Sequence, residues 1–168
     1  MTNSPLVKWF IRIWCVITAV SIVLTAVSAC LVAGMDRIVY TCSGDNACII
    51  QLDFENRQVH YMKYAVNAES RWMTGEMSDF MAIRFKFAAA MANAPLWFAS
   101  YSNNGDAQTD AWGMDMYFDD RIKTCQGVGD YPGGWNKLIP KIMNLAKLFP
   151  DEIPEQQNIP GNIPTANL

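Results

Sequence analysis

Histidine is nearly missing from this sequence: His60 is the only one. Zinc sites draw on several Cys and His ligands at set spacings. Here no CxxC pair and no second histidine accompany His60, so the pattern argues against a metal site. Charge is scarce too, with Lys, Arg, Asp and Glu at 17% of residues, where soluble domains average about a quarter. The shortage is uneven. The first 34 residues hold Lys8 and Arg12 and no acid, which leaves 11 basic and 16 acidic residues, net −5, in the remainder. Those acids are scattered, and no basic run exists to displace counterions from phosphates, which argues against a nucleic-acid partner. The amphipathic stretches downstream are likewise poor in Lys and Arg for surface-active membrane helices. No N-x-Ser/Thr sequon occurs, so no N-glycan is expected. A Gly-Phe processing site followed by glutamate is also lacking, which speaks against a type IV pilin.

What the sequence does have is an apolar run. Ile13 to Gly34, "IWCVITAVSIVLTAVSACLVAG", contains no charge. As a helix it covers roughly 33 Å, close to the hydrocarbon thickness of a bilayer. Lys8, Trp9, Arg12 and Trp14 sit at its start, where interfacial cations and aromatics belong, whereas Asp36 and Arg37 cancel at its end. The positive-inside bias then puts residues 1–12 in the cytoplasm as a short N-terminus and residues 13–34 in the membrane as a signal anchor. Everything after Gly34 is placed on the exported side. Membrane lipid is the first partner this implies.

A rival reading attaches to "VSAC", Val27–Cys30, which resembles the bacterial lipobox. That resemblance implies cleavage before Cys30 and lipidation of its thiol; ordinary cleavage nearby is a third possibility. The run continues apolar through Gly34 rather than into a polar tether, and it is long for a signal peptide's core, so the anchor is preferred. Cys15 and Cys30 then lie inside the span and behave as small apolar residues. Ala19, Ser21, Ala26, Ser28 and Ala29 permit close helix packing, although no GxxxG pair is present. Cys42 and Cys48 bracket "SGDNA", a turn-forming loop, and on an oxidising side their spacing suggests a disulfide, with Cys125 left over.

Residues 35–149 read as one exported α+β domain, a largely antiparallel sheet with helices. "RIVYTC" reads as a strand, and Cys48–Val66 as a hairpin turning at Glu55–Gln58. A helix is expected over Asp79–Asn93, capped by Ser78 or Asp79 and stopped ahead of Pro95. Arg84 and Lys86 make that helix unfit as a second span. "LWFASY" and "WGMDMYFDD" read as strands, and "NKLIPKIMNLAKLF" as a helix that tolerates Pro140 only in its first turn. Residues 150–168 repeat Ile-Pro three times and read as an extended Pro-rich tail, either disordered or suited to docking in a partner's groove.

Candidate chemistry is thin. Asn104, Asp106, Gln108, Asp110 and Asp115 approach a calcium loop, but Thr109 replaces the required glycine and an aspartate replaces the closing glutamate. Asp119 and Asp120 are adjacent carboxylates best placed in a turn. Trp72, Trp97, Trp112 and Trp135 suit either a contact platform or a core, and the domain's size favours the core. No nucleophile–base spacing, catalytic residue or cofactor motif emerges. The expectation is a non-enzymatic single-pass subunit of a larger membrane or envelope protein complex, contacting other subunits through its domain and tail. The alternative is an exported lipoprotein or secreted ligand-binding domain.

Overall fold

The structure, a computed structural model, describes residues 5–44, 47–64, 70–102 and 111–149. The apolar run folds as one helix, α1 (Pro5–Ala33), which begins earlier than the uncharged stretch and takes in Lys8, Trp9 and Arg12. Pro5 suits a first helical position, because its missing N–H lacks an intrahelical acceptor anyway. Gly34 alone separates α1 from the first strand.

Seven strands follow: β1 (Met35–Cys42), β2 (Cys48–Asp53), β3 (Gln58–Lys63), β4 (Met73–Glu76), β5 (Ser100–Ser102), β6 (Ala111–Phe118) and β7 (Arg121–Val128). They form one mixed sheet in the order β4-β3-β2-β1-β6-β7-β5. Every pairing is antiparallel except β5 with β7. Period-two alternation gives the sheet one dry face. Met35, Ile38 and Tyr40 of β1, Ile50 and Leu52 of β2, and Met114 and Met116 of β6 all point to it and are buried. Thr41, Thr124 and Gln126 point the other way and are exposed.

Two helices cover the dry face. α2 (Asp79–Met91) starts at Ser78, whose Oγ accepts the Met81 N–H at 3.2 Å, and a salt bridge joins Arg57 to Asp79 in its first turn. It ends at Met91, two residues short of the expected Asn93, which instead adopts a left-handed conformation ahead of a 3₁₀ turn at Ala94–Leu96. Asparagine tolerates that conformation better than most residues, so Asn93 and Pro95 together stop the helix. α3 (Trp135–Ala146) buries Leu138, Ile139, Ile142 and Leu145. The fold class is therefore α+β, with the antiparallel majority expected.

Two further local expectations are corrected, and the strand β7 was not read from the sequence at all. "LWFASY" is not one strand: its first residue closes the 3₁₀ turn, and only Ser100–Ser102 pair as an edge strand. β7 carried no readable alternation, because its inward side chains are Lys123, Cys125 and Gly127. The helix ending the domain starts early enough to place Pro140 in its second turn rather than its first. There the ring removes the N–H that would bond the Asn136 carbonyl. Pro140 is exposed, so Pro140→Ala restores that bond without disturbing packing. Offset by the entropy alanine returns to the unfolded chain, a net gain of roughly 2 kcal/mol is expected in urea denaturation of detergent-solubilised protein.

Candidate functional site

The surface of α1 is the most anomalous feature of the molecule. Leu6, Trp9, Phe10, Trp14, Val16, Ile22 and Val23 are all more than half exposed, and Lys8 and Arg12 share the same end of the helix. Among the described residues α1 is the one helix long and apolar enough to cross a membrane. Its two threonine hydroxyls are provided for without water, whereas the Ser28 hydroxyl, buried lower on the helix, finds no hydrogen-bond partner among the described residues. Thr18 Oγ1 donates to the Trp14 carbonyl at 2.8 Å, and Thr25 Oγ1 to that of Ser21 at 2.9 Å. This back-bonding lets threonine enter an apolar medium at little cost. Cys15 and Cys30 also lie on this helix and are exposed.

Among the described residues α1 packs mainly on α2 and the 3₁₀ turn, and its buried residues, Ser28 and Val32, lie in its last turns. Lys86 of α2 donates from Nζ to the Ala33 carbonyl at 3.2 Å, a cation at the negative end of a helix dipole. Burial lowers the Lys86 pKa, against the opposing pull of Asp36. Lys86 at this junction was not foreseen from residue order, whereas Ser28 is one of the small residues read as permitting close helix packing, here against α2.

Cys42 and Cys48 face each other across β1 and β2, directly opposite in register, with Sγ atoms 3.2 Å apart. Both are thiols in the structure. The hydrogen bond to Cys42 and then burial push the Cys48 thiol well above its ordinary value, against a weaker pull from Lys63. Cys125 is buried on β7 opposite Met114, and burial raises its thiol pKa too.

Beside Cys42 lies a cleft of about 220 Å³ whose aromatic wall includes Tyr40, Trp112, Tyr131 and Trp135. Ring centroids of Trp112 and Trp135 are 4.5 Å apart, and those of Tyr131 and Trp135 4.8 Å. Two indole donors are spent internally. Trp112 Nε1 donates to Asp130 O at 2.9 Å, and Trp97 Nε1 donates to Ala92 O and Gly133 O at 2.9 and 3.1 Å. Trp97 and Trp112 are buried core residues, while Trp72 is nearly half exposed.

The remaining candidates do not converge. Asp119 and Asp120 form the exposed turn between β6 and β7. His60 lies on the open face of the sheet, its Nδ1 at 3.0 Å from Thr74 Oγ1 on β4. No group of three potential metal ligands occurs among the described residues. Asp115 is on β6, whereas Asn104, Asp106, Gln108 and Asp110 lie outside the described residues, as do residues 150–168. No family model matches the chain, and no curated protein matches it either.

Proposed function

We propose that this chain is a non-enzymatic, single-pass membrane subunit of a larger membrane or envelope assembly. One observation carries the reading: the apolar side chains of α1 from Leu6 to Val27 are exposed, with nothing among the described residues covering them. Exposed apolar surface of that extent needs lipid or a partner. Lys8, Trp9, Arg12 and Trp14 anchor the cytoplasmic interface in this reading, and residues 35–149 stand on the exported side, where the domain and the Pro-rich tail meet other subunits.

The test is fractionation of native membranes with intact mass on the recovered chain. Full-length protein that resists alkaline extraction, loses residues 35–149 to protease from the exported side only, and migrates in mild detergent as part of a larger particle is expected. A stable monomer would overturn the assembly role. A mature chain beginning at a lipid-modified Cys30 would replace the anchor with a lipoprotein.

Export also places Cys42 and Cys48 where thiols oxidise. Sulfurs 3.2 Å apart need to close by only about 1 Å to reach bonding distance. Protein from the exported side, unfolded without reductant, should be lighter by the two thiol hydrogens and refuse alkylation at both positions. Free Cys42 and Cys48 in that sample would contradict the assignment. Loss of the bridge in Cys48→Ser should lower stability by about 2 kcal/mol, as expected for so short a loop.

A further inference from the structure

The outward side of α2 is apolar where a surface helix should be polar. Ala82, Phe85, Ala88 and Ala89 are buried. The opposite stripe consists of Phe80, Ile83, Phe87 and Met91, at spacings of three and four residues, and the first three are 75%, 67% and 64% exposed. A helix apolar on every side belongs in a larger core or in lipid. Arg84 borders this stripe on the side of the α2–α3 groove, and Lys86 borders it on the side of α1.

We propose that Phe80, Ile83 and Phe87 form a membrane-surface docking patch, seated at the headgroup–acyl boundary of the exported leaflet beside α1. This rests on the reading of α1 as a membrane span. Two observations select lipid as the occupant. The patch is continuous with α1, because α2 packs on the turns that hold Ser28 and Val32, and Lys86 reaches the Ala33 carbonyl. The depth also agrees. A hydrocarbon core of about 30 Å takes up roughly 20 residues of helix from Ile13 and so ends near Val32, level with α2. Arg84, exposed at the edge of the stripe, faces the headgroup phosphates from that position. The scarcity of Lys and Arg argues against α2 as a free surface-active helix. Here α1 supplies the attachment, so electrostatic recruitment is not required, and apolar contact suffices.

The test uses the full chain, with Cys15 and Cys30 changed to alanine, in vesicles of phosphatidylcholine and phosphatidylglycerol. Nitroxide labels are placed singly through Ile83→Cys, Val20→Cys and Thr124→Cys, and collisions with oxygen and with a water-soluble nickel chelate are measured. The Ile83 label should meet oxygen freely and the nickel chelate roughly tenfold less often than the Thr124 label, as expected at interfacial depth. An Ile83 label as nickel-accessible as Thr124, beside a Val20 label deep in lipid, would overturn the patch and leave the span standing. A Val20 label open to nickel would instead sink the span. Shielding of Ile83 from both collision partners would assign the stripe to protein, with spin–spin broadening identifying a second copy, and would also overturn the proposal.

Discussion

Gly134→Ala is expected to destabilise the domain by about 2–5 kcal/mol, enough to unfold it at moderate urea. Gly134 has φ of +84° at the start of α3, so alanine there carries the left-handed penalty. Its Cβ would also lie 2.6 Å from the Ala92 oxygen and 2.8 Å from the Ala92 Cα. Both obstacles are backbone at the end of α2, so no side chain can swing aside. The same junction is held by Trp97 Nε1 on the carbonyls of Ala92 and Gly133, and by Lys137 Nζ on the Met91 carbonyl at 3.1 Å. Pushing Gly134 from Ala92 therefore strains three hydrogen bonds together. Gly133 is the control, because a Cβ there meets nothing within 4 Å. Tryptophan fluorescence through a urea titration reads both variants. Equal midpoints for Gly133→Ala and Gly134→Ala would show that the approach to Ala92 is not limiting.

Val20→Arg should abolish or severely reduce the membrane-integrated fraction. Between Ile13 and Gly34 the strongly lipophilic residues are ten Ile, Leu and Val side chains, the rest being mostly small or hydroxylated. At about −0.3 to −0.6 kcal/mol each they favour insertion by roughly 3–6 kcal/mol, and a central arginine costs about 2.5–3.5. One substitution thus removes most of the driving force. Val20 is half exposed and sits above the turns that pack on α2, so the fold of residues 35–149 should survive. Alkaline extraction of membranes is the readout, with Val20→Leu fully retained. Unchanged retention of Val20→Arg would mean that protein contacts, not lipid, hold α1.

Legibility from residue order varied with how each segment is solvated. β1 and the β2–β3 hairpin have one dry face and one wet face, so period two is written into "RIVYTC" and "CIIQLD". α2 was bounded by chemistry that works locally: the Ser78 hydroxyl at one end, Asn93 and Pro95 at the other. β4 is four residues at the sheet edge with Gly75 inside, and β7 turns Lys123 and Gly127 towards the covered side, so neither carries an apolar signal. Gly127 leaves room for the Trp112 indole, whose atoms lie 2.6 Å from a Cβ built there, a tertiary demand with no local trace. The stripe on α2 stayed hidden for the opposite reason. Apolar residues occur on all sides of that helix, so no face is preferred until α1 and α3 flank it and leave Phe80, Ile83 and Phe87 uncovered.

The join at Gly34 makes this molecule a lever rather than a tethered ball. With α1 ending at Ala33 and β1 starting at Met35, no slack exists to absorb a tilt or piston movement of the helix. A pull along α1 passes directly into β1, the strand gripped on both sides by β2 and β6 along nearly its whole length. Such a load is borne by two ladders at once, and Lys86 holds the Ala33 carbonyl at the join. Displacing the helix therefore reorients the entire sheet.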